Sequence, residues 1–178
     1  MRVIAGRFRS RRLKSVPGLD TRPTPDRLRE SLFSILAPEI EGTVFIDAYA
    51  GTGAVGIEAL SRGARHAVFI EKNRSAIAVL RENLVSLGVM ESANVIAAKV
   101  APALSQYRGD IVFLDPPYEA EKEYDACLQV LGEMAPPLVI VQHSRKFDLG
   151  DEAGRLRRTR ILRQGDNALS FYRPDPVA

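Results

Sequence analysis

Residues 44–56 combine an acid with closely spaced glycines, which is the pattern of a nucleotide-binding turn. An apolar run ends at Asp47, Gly51 and Gly53 follow, and a helical pattern begins directly after them. Open α/β sheets build nucleotide-sized pockets from a strand, a Gly-rich turn and a helix, because glycine lets the backbone come close to a ligand. Glu71, at the end of the next predicted strand, is placed to accept ribose hydroxyls.

The sequence leaves two ligand classes open for this pocket. Residues 51–56 match G-x-G-x-x-G literally and, with Glu71, fit the fingerprint of an NAD-linked oxidoreductase. The run Asp47-x-x-x-Gly51-x-Gly53 instead looks like the first motif of S-adenosylmethionine-dependent methyltransferases. A dehydrogenase usually needs a further substrate domain, and too little chain remains after Leu114 for one. Both observations favour the methyl donor.

A second candidate site, Asp115-Pro116-Pro117-Tyr118, follows a continuously apolar strand. It resembles the [Asp/Asn]-Pro-Pro-[Tyr/Phe] motif of methyltransferases that act on planar amino nitrogens. The exocyclic amine of a base is a poor nucleophile because its lone pair is delocalised into the ring. Hydrogen bonds from the amine to the Asp115 carboxylate and the Pro116 carbonyl would favour the charge that develops on nitrogen. The two prolines stiffen the turn, and the Tyr118 ring offers a face for stacking the base.

Positive charge is concentrated in two segments, although the formal net charge of the 178 residues is only +3. The first segment contains no acid and carries Arg2, Arg7, Arg9, Arg11, Arg12 and Lys14. The second, also free of acids, carries Arg155, Arg157, Arg158, Arg160 and Arg163. Because the guanidinium group matches phosphate oxygens, these clusters favour a polyanion-binding face over a solvated arm that binds nothing.

Composition limits the remaining classes. The single cysteine, Cys127, lies in a helical pattern beside leucines and is expected in the core. His66 and His143 have no partner at ligand spacing, so we expect both to be structural and expect no metal. No apolar run reaches membrane-spanning length and the start lacks the apolar segment of a secretory signal, which favours a cytoplasmic protein.

From residue 43 onward strand and helix patterns alternate, which predicts a doubly wound α/β fold with a mostly parallel sheet. Residues 1 to about 20 are predicted as an extended basic arm with a short hairpin, followed by a helix that Thr24 caps and Pro25 begins. The predicted strands are 43–48, 66–71, 93–98, 110–114 and 137–142, the predicted helices 54–62, 75–87, 101–106 and 121–134, and the closing antiparallel pair 155–163 and 168–173.

The chain resembles the RsmD family, bacterial methyltransferases that modify guanine N2 in 16S ribosomal RNA. The resemblance covers most of the chain. Its blocks are residues 2–6, 21–33, 47–64 and 115–118. The block at 21–33, Thr-Arg-Pro-Thr-Pro-Asp-Arg-Leu-Arg-Glu-Ser-Leu-Phe, is specific to the family rather than generic.

This resemblance implies S-adenosylmethionine as donor and 16S rRNA within an assembled or assembling small subunit as substrate, with no obligate protein partner. The length of the chain predicts one methyltransferase domain over 1–178, in which 1–42 form a basic extension with a helix and 43–178 the catalytic core. The expected catalytic set is Asp115, Pro116, Pro117 and Tyr118; the cofactor set is Asp47, Tyr49, Gly51, Thr52, Gly53, Glu71 and Lys72; the RNA set is the six N-terminal cations with Arg22 and Arg27.

Two departures from the family and two rival functions qualify these expectations. Ala98-Lys99 replaces an acid or amide that can meet the adenine amine, and lysine cannot accept a hydrogen bond. Gln142-His143 stands where relatives often carry a glutamate. The rivals to the RNA methyltransferase, besides the oxidoreductase, are an amino methyltransferase acting on DNA adenine or protein glutamine, and a non-catalytic RNA-binding module.

Overall fold

Parallel strands form the centre of an eight-stranded sheet in the computed structural model, which describes residues 1–18, 24–117 and 119–176. The strands are β1 (Val44–Ala48), β2 (His66–Glu71), β3 (Ala93–Ala97), β4 (Ile111–Leu114), β5 (Leu138–Ser144), β6 (Glu152–Ala153), β7 (Leu156–Gln164) and β8 (Asn167–Pro174). Their order in the sheet is β3-β2-β1-β4-β5-β8-β7-β6. Strands β1 to β5 run parallel and the last three pair antiparallel, which confirms the predicted doubly wound α/β class.

Helices cover both faces of this sheet. They are α1 (Asp26–Leu36), α2 (Ala54–Ser61), α3 (Arg74–Leu87), α4 (Val100–Leu104) and α5 (Glu121–Met134). Along β1, Phe45 packs in a cluster with α1 and α2, whereas the next residue, Ile46, packs in a cluster with α4 and α5. Burial on both faces explains why the central strands are continuously apolar in sequence.

The start of α1 differs from the prediction. Thr24 was predicted to cap the helix, but the N-cap residue is Pro25, and no side chain caps the first turn. The Thr24 side chain is buried and points away from the helix. It contacts Asp115, which follows β4, and Gln142 in β5. A threonine before Pro-Asp satisfies the capping pattern in sequence, but here its tertiary contacts determine its orientation.

The N-terminal segment is a hairpin packed on the domain rather than a projecting arm. Arg2 and Arg12 form an antiparallel bridge, as the predicted hairpin requires, and Val3 and Leu13 are buried against α2 and α3. The backbone is held by Glu58 of α2, whose carboxylate accepts the N–H groups of Ile4 at 2.9 Å and Ala5 at 3.0 Å. The predicted basic extension therefore has one face on the core and its arginines on the other.

Removing this carboxylate should loosen the hairpin. Glu58 is fully buried and also accepts a hydrogen bond from Arg62 Nε at 2.9 Å. Glu58→Ala leaves two backbone donors and a guanidinium without their acceptor, and we expect it to lower the free energy of unfolding by about 3 kcal/mol in chemical denaturation. The control is Glu82→Ala, which breaks an exposed pair with Lys14 of the same hairpin and should cost less than about 1 kcal/mol. Equal losses of unfolding free energy in the two variants would contradict the conclusion that Glu58 holds the hairpin.

The C-terminal part closes the sheet as the sequence predicts, with β7 and β8 joined through Gly165 and Asp166. Strand β6, of two residues, was not predicted. Among the described residues, no helix is long and apolar enough to cross a membrane, and no group of three or more His, Cys, Asp or Glu side chains is arranged to hold a metal ion.

Candidate active site

Three acidic side chains meet where the parallel strands end. Asp47 is the penultimate residue of β1, Glu71 ends β2, and Asp115 follows β4. The chain leaves β1 for β2 on one side and reaches β4 on the other, so β1 and β4 flank the switch point of the sheet. Ligands of open α/β sheets bind in the crevice outside the carboxyl ends of strands at this point.

Asp47 holds the glycine loop against the start of α2. Its side chain is 2% exposed and its Oδ2 accepts the Gly56 N–H at 2.9 Å. Burial raises the pKa of Asp47 well above its usual value, the Gly56 hydrogen bond opposes that rise, and the nearby charges of Asp115 and Glu71 add to it. This contact orients the glycine loop.

Glu71 ties the same loop to the end of β2. Its Oε1 accepts the Gly51 N–H at 2.9 Å, and its Oε2 accepts the N–H groups of Lys72 at 2.9 Å and Asn73 at 2.8 Å. Each carboxylate oxygen can accept more than one hydrogen bond, so these contacts leave acceptor capacity for a ligand hydroxyl.

The two loop glycines have different reasons to be glycine. Gly51 has φ +58°, and a Cβ there would meet nothing within 4 Å, so its exposed side borders open space. Gly53 has φ +93°, and a Cβ there would lie 2.3 Å from Leu80 Cδ1. Between them, the Thr52 carbonyl accepts a hydrogen bond from Asn83 Nδ2 at 3.0 Å. Gly53 thus permits close packing on α3, while Gly51 keeps the crevice open to a ligand.

The other two predicted cofactor residues are Tyr49, which precedes the glycine loop, and Lys72, which follows β2. Tyr49 has φ +63°, and its hydroxyl donates to Glu123 of α5 at 2.6 Å and lies 3.2 Å from Cys127 Sγ. Burial is the main cause that raises the pKa of Tyr49. Lys72 is exposed and contributes only its backbone N–H to Glu71. Cys127 is fully buried, as predicted for a core residue.

Asp115, Pro116 and Pro117 form the described part of the catalytic motif. Burial raises the pKa of Asp115 to about 7, and a contact with the Thr24 hydroxyl, 3.5 Å from its Oδ2, opposes that rise. Pro116 is buried and Pro117 exposed. The Pro116 carbonyl lies 3.5 Å from the Tyr124 hydroxyl and retains a lone pair for a second donor. Tyr118 lies outside the described residues.

Sequence reasoning missed a polar bridge beside this motif. The Thr24 hydroxyl donates to Gln142 Oε1 at 2.9 Å, and the Gln142 carbonyl accepts the Tyr124 hydroxyl at 3.2 Å. The sequence analysis noted Gln142 only as a departure from relatives. In the structure it lies level with Asp115 on the neighbouring strand, and Thr24 contacts both side chains. A buried polar pair that joins the segment before α1 to β5 has no local signal, because 118 residues separate its members.

Two residues after the end of β3, Lys99 is exposed at the N-cap position of α4. The preceding Ala98 donates its N–H to the Glu71 carbonyl at 3.1 Å. This stretch therefore borders the end of β2, where the sequence analysis expected adenine recognition.

The predicted RNA-binding cations differ in whether their side chains form an ion pair or a hydrogen bond with a described residue. Arg2, Arg7, Arg9, Arg12 and Arg27 are exposed and make no ion pair with a described residue. Arg11 donates to the Ser86 carbonyl at 2.9 Å, and Lys14 pairs with Glu82 at 3.0 Å. Arg22 lies outside the described residues.

The second cluster is less available than its sequence indicates. Arg155 donates to the Glu133 carbonyl, Arg157 pairs with Glu152 and Asp175, and Arg158 pairs with Asp148 and Asp151. Those acids lie outside residues 155–163 in sequence, and folding brings them into contact with the arginines. Arg160 and Arg163 are exposed and make no ion pair with a described residue.

His143 is structural, as predicted. Its Nδ1 lies 2.9 Å from the Ser144 carbonyl, which can only accept, so this nitrogen carries the proton. Its Nε2 then accepts from the Ser170 hydroxyl at 2.8 Å, while Arg158 Nη1 donates to the same Ser170 oxygen at 3.3 Å. Burial lowers the pKa of His143, which favours this neutral form.

Solved structures define the class of protein. An Escherichia coli protein, yhhF, provisionally titled a methyltransferase, superposes with a TM-score of 0.86 at 31% identity, covering 98% of both chains. An RNA methyltransferase from Salinibacter ruber, solved with S-adenosyl-L-homocysteine, has a TM-score of 0.70 at 18% identity, covering 88% of this chain and 97% of that one. The fold is the α/β fold of S-adenosylmethionine-dependent methyltransferases.

Sequence comparisons define the family. The family described as Conserved hypothetical protein 95 matches residues 1–173. Bacillus subtilis YlbH, provisionally named an rRNA methyltransferase, is 35% identical over 184 residues, covering 97% of this chain and 98% of that one. Escherichia coli ribosomal RNA small subunit methyltransferase D is 41% identical over 121 residues, covering 66% and 60%. The chain belongs to this family, the RsmD family that its motifs resemble.

Proposed function

We propose that this protein transfers a methyl group from S-adenosylmethionine to the exocyclic N2 of a guanine in 16S rRNA of the small ribosomal subunit. One observation carries the proposal: a partly buried carboxylate, Asp115, follows β4 at the same edge of the sheet as the glycine loop that follows β1, close enough for its charge to act on Asp47. The names of the relatives support an RNA substrate, and the family resemblance supports guanine N2.

The residues of the crevice fit the proposed donor. S-adenosylmethionine supplies a methyl group already activated by the positive sulfur, so the protein has to position the accepting nitrogen. Glu71 would accept the ribose hydroxyls with its remaining lone pairs, and Gly51 would allow close approach along its open side. Asp47 would keep the loop in register, and Tyr49, Thr52, Gly53 and Lys72 would complete the wall.

The proline turn would hold the target base. The guanine amine would donate hydrogen bonds to the Asp115 carboxylate and the Pro116 carbonyl, which stabilise positive charge on nitrogen during transfer. Pro117 would fix the turn and Tyr118 would stack on the base. The base must leave its helix or loop to reach this turn, as in other enzymes that modify bases.

The N-terminal hairpin would dock on RNA phosphates. Its exposed arginines, with Arg27 nearby in α1 and with Arg11, Lys14 and Arg22, form the proposed contact set. We propose a single methyltransferase domain over 1–178, with 1–42 as its RNA-facing part, acting on the small subunit or its assembly intermediate in the cytoplasm.

The proposed role of Asp115 requires its ionised form. Because its pKa is about 7, the rate should fall roughly tenfold for each pH unit below pH 7 and level off above it. The measurement is single-turnover methyl transfer between pH 5.5 and 8.5 at saturating donor.

Thr24→Val provides the matched variant for this pH profile. The Thr24 contact lowers the pKa of Asp115, so its removal should move the acid limb of the pH profile to higher pH. The maximal rate on the plateau at high pH should not change. An acid limb near pH 4, or one that Thr24→Val does not move, would assign the titration to another group.

The direct test of the function is transfer of labelled methyl from S-adenosylmethionine to small subunits from cells that lack the endogenous enzyme. Protein-free 16S RNA is the parallel substrate. Label on either RNA supports the proposal, and the comparison shows whether ribosomal proteins help to form the substrate. Thermal stabilisation by NAD without stabilisation by S-adenosylmethionine would instead support the oxidoreductase.

A further inference from the structure

A cavity of about 180 Å³ lies at the carboxyl end of β5, beside the proposed base site. Its lining combines side chains from β5, the loop after it and β7: His143, Arg145, Phe147, Asp148, Arg158 and Arg163. Three of these carry a positive charge and one a negative charge, and burial lowers the pKa of the histidine, which favours its neutral form. The lining is therefore net positive.

The three arginines in this lining differ in their contacts. Arg158 is fixed, since it donates to Asp151, to Asp148 and to the Ser170 hydroxyl. Arg145 and Arg163 are exposed and form no ion pair with a described residue. Arg145 donates its backbone N–H to the Asp166 carbonyl in the β7–β8 turn, and both arginines line the cavity. Arg158 already has its counter-charges, so these two remain for an external anion.

The cavity is connected to the catalytic turn. Leu114 pairs with Val141, so Asp115 lies level with Gln142 and one residue short of His143. Phe147 in the cavity wall packs on Tyr124 with ring centroids 5.4 Å apart, and the Tyr124 hydroxyl contacts the Pro116 carbonyl. From β4 across β5 and β8 to β7 is three strand spacings, roughly 14 Å. The nucleotides next to an extruded base can span that distance.

We propose that Arg145 and Arg163 bind a backbone phosphate of the RNA strand that flanks the target guanine. The inference rests on the proposed function and extends it, because it puts a second RNA contact on the opposite side of the catalytic turn from the N-terminal hairpin. The strand would cross the proline turn between two basic surfaces, so the target base is held from both sides. Arginine suits this role because its planar fork matches phosphate oxygens.

The same strand supplies a matched control. After the bulge between Arg158 and Arg160, side chains of β7 alternate, so Ile161 and Arg163 line the cavity while Arg160 and Leu162 face the other way. Leu162 packs on the cluster that contains α1, which confirms the opposite face. Arg160 is exposed and makes no ion pair with a described residue. Arg160→Ala therefore matches the single variant Arg163→Ala, since each removes one positive charge from β7, but from opposite faces.

The test measures binding of protein-free 16S RNA by the wild type, by the double variant Arg145→Ala/Arg163→Ala and by Arg160→Ala, at several KCl concentrations. We expect the double variant to bind about tenfold more weakly and its salt slope to fall by about 1. Arg160→Ala should resemble the wild type in both. Calorimetry with S-adenosylmethionine should give the same dissociation constant for all three proteins.

Measurements of methyl transfer then distinguish a failure of this RNA contact from a failure of the proposed function. KM for RNA should rise in the double variant while kcat at saturating RNA stays near wild type. A double variant with unchanged affinity and slope, or a loss that Arg160→Ala reproduces, overturns the inference even where wild type methylates RNA. A wild type that binds RNA through these arginines but transfers no methyl group overturns the proposed function instead. Arg163→Glu, a single exposed change, provides a second variant that should weaken binding further than Arg163→Ala.

Discussion

Asp115→Ala is expected to lower the rate of methyl transfer by about 10²- to 10³-fold, because it removes the acceptor that stabilises charge on the attacking nitrogen. Asp115 follows β4, its side chain contacts Thr24, and its backbone N–H donates to the carbonyl of Ala48, the last residue of β1, at 3.4 Å. Among the described residues, no hydrogen bond joins the Asp115 side chain to the glycine loop. The dissociation constant for S-adenosylmethionine should therefore stay within about twofold of wild type. Single-turnover rates and calorimetry measure the two quantities separately.

Asp115→Asn controls for shape. It keeps one acceptor oxygen but loses the charge, so its rate should lie near that of the alanine variant. The folded-state pKa of about 7 exceeds the usual value of 3.8, so the native protein loses stability as the pH rises between these values. The asparagine variant should be more stable than wild type at pH 8 by on the order of 2 kcal/mol and should lose that advantage at pH 4. A loss of cofactor affinity that matches the loss of rate would show that Asp115 belongs to the donor site.

Glu71→Ala should produce the largest loss of cofactor affinity, about 10- to 100-fold. The substitution leaves the N–H groups of Gly51, Lys72 and Asn73 without their acceptor and removes the proposed acceptor for the ribose hydroxyls. Calorimetric titration with S-adenosylmethionine measures the loss. The rate at saturating donor should change much less than it does in Asp115→Ala.

Two comparisons test this assignment of Glu71. Glu71→Gln keeps one acceptor oxygen and should lose less affinity than the alanine variant. Ser75→Ala, an exposed change in the first turn of α3, should leave affinity unchanged. If Glu71→Ala binds the donor as tightly as wild type, then Glu71 only shapes the loop and the ribose is held elsewhere.

Local patterns in the sequence were sufficient to predict the regular elements. Strand β2 and helix α5 begin and end at the predicted residues, because apolar runs and helical periodicity are interrupted there by charged or turn-forming residues. The glycine loop and the proline turn were also predicted at the carboxyl ends of their strands. In the structure β1 and β4 are parallel neighbours, so both motifs lie at the same edge of the sheet.

Contacts between distant segments were not predictable in this way. Thr24 was assigned to a helix cap, but its hydroxyl bonds Gln142 across 118 residues. The arginines of β7 have no acid in their own run, yet residues 148–152 and Asp175 neutralise much of their charge. Pairing of this kind depends on the turn after β5, whose path no local pattern specifies.

One missed residue did leave a signal. Glu58 is the only acid in α2, whose residues from 55 to 61 are all buried. A charge inside a helix that is apolar on all sides needs a partner, which predicts a polar contact with another segment. The contact is the hairpin backbone at Ile4 and Ala5, so this signal could have shown that the basic segment packs on the domain.

The most direct test of the central claim is the identity of the methylated nucleoside. Small subunits and protein-free 16S RNA are labelled with S-adenosylmethionine by the wild type and by Asp115→Ala, then digested to nucleosides and separated with reference standards. We expect the label in N2-methylguanosine for the wild type and almost none for the variant. Label in a methylated adenosine, or no label in RNA despite demonstrable donor binding, would contradict the claim and direct the search for a substrate to DNA or protein.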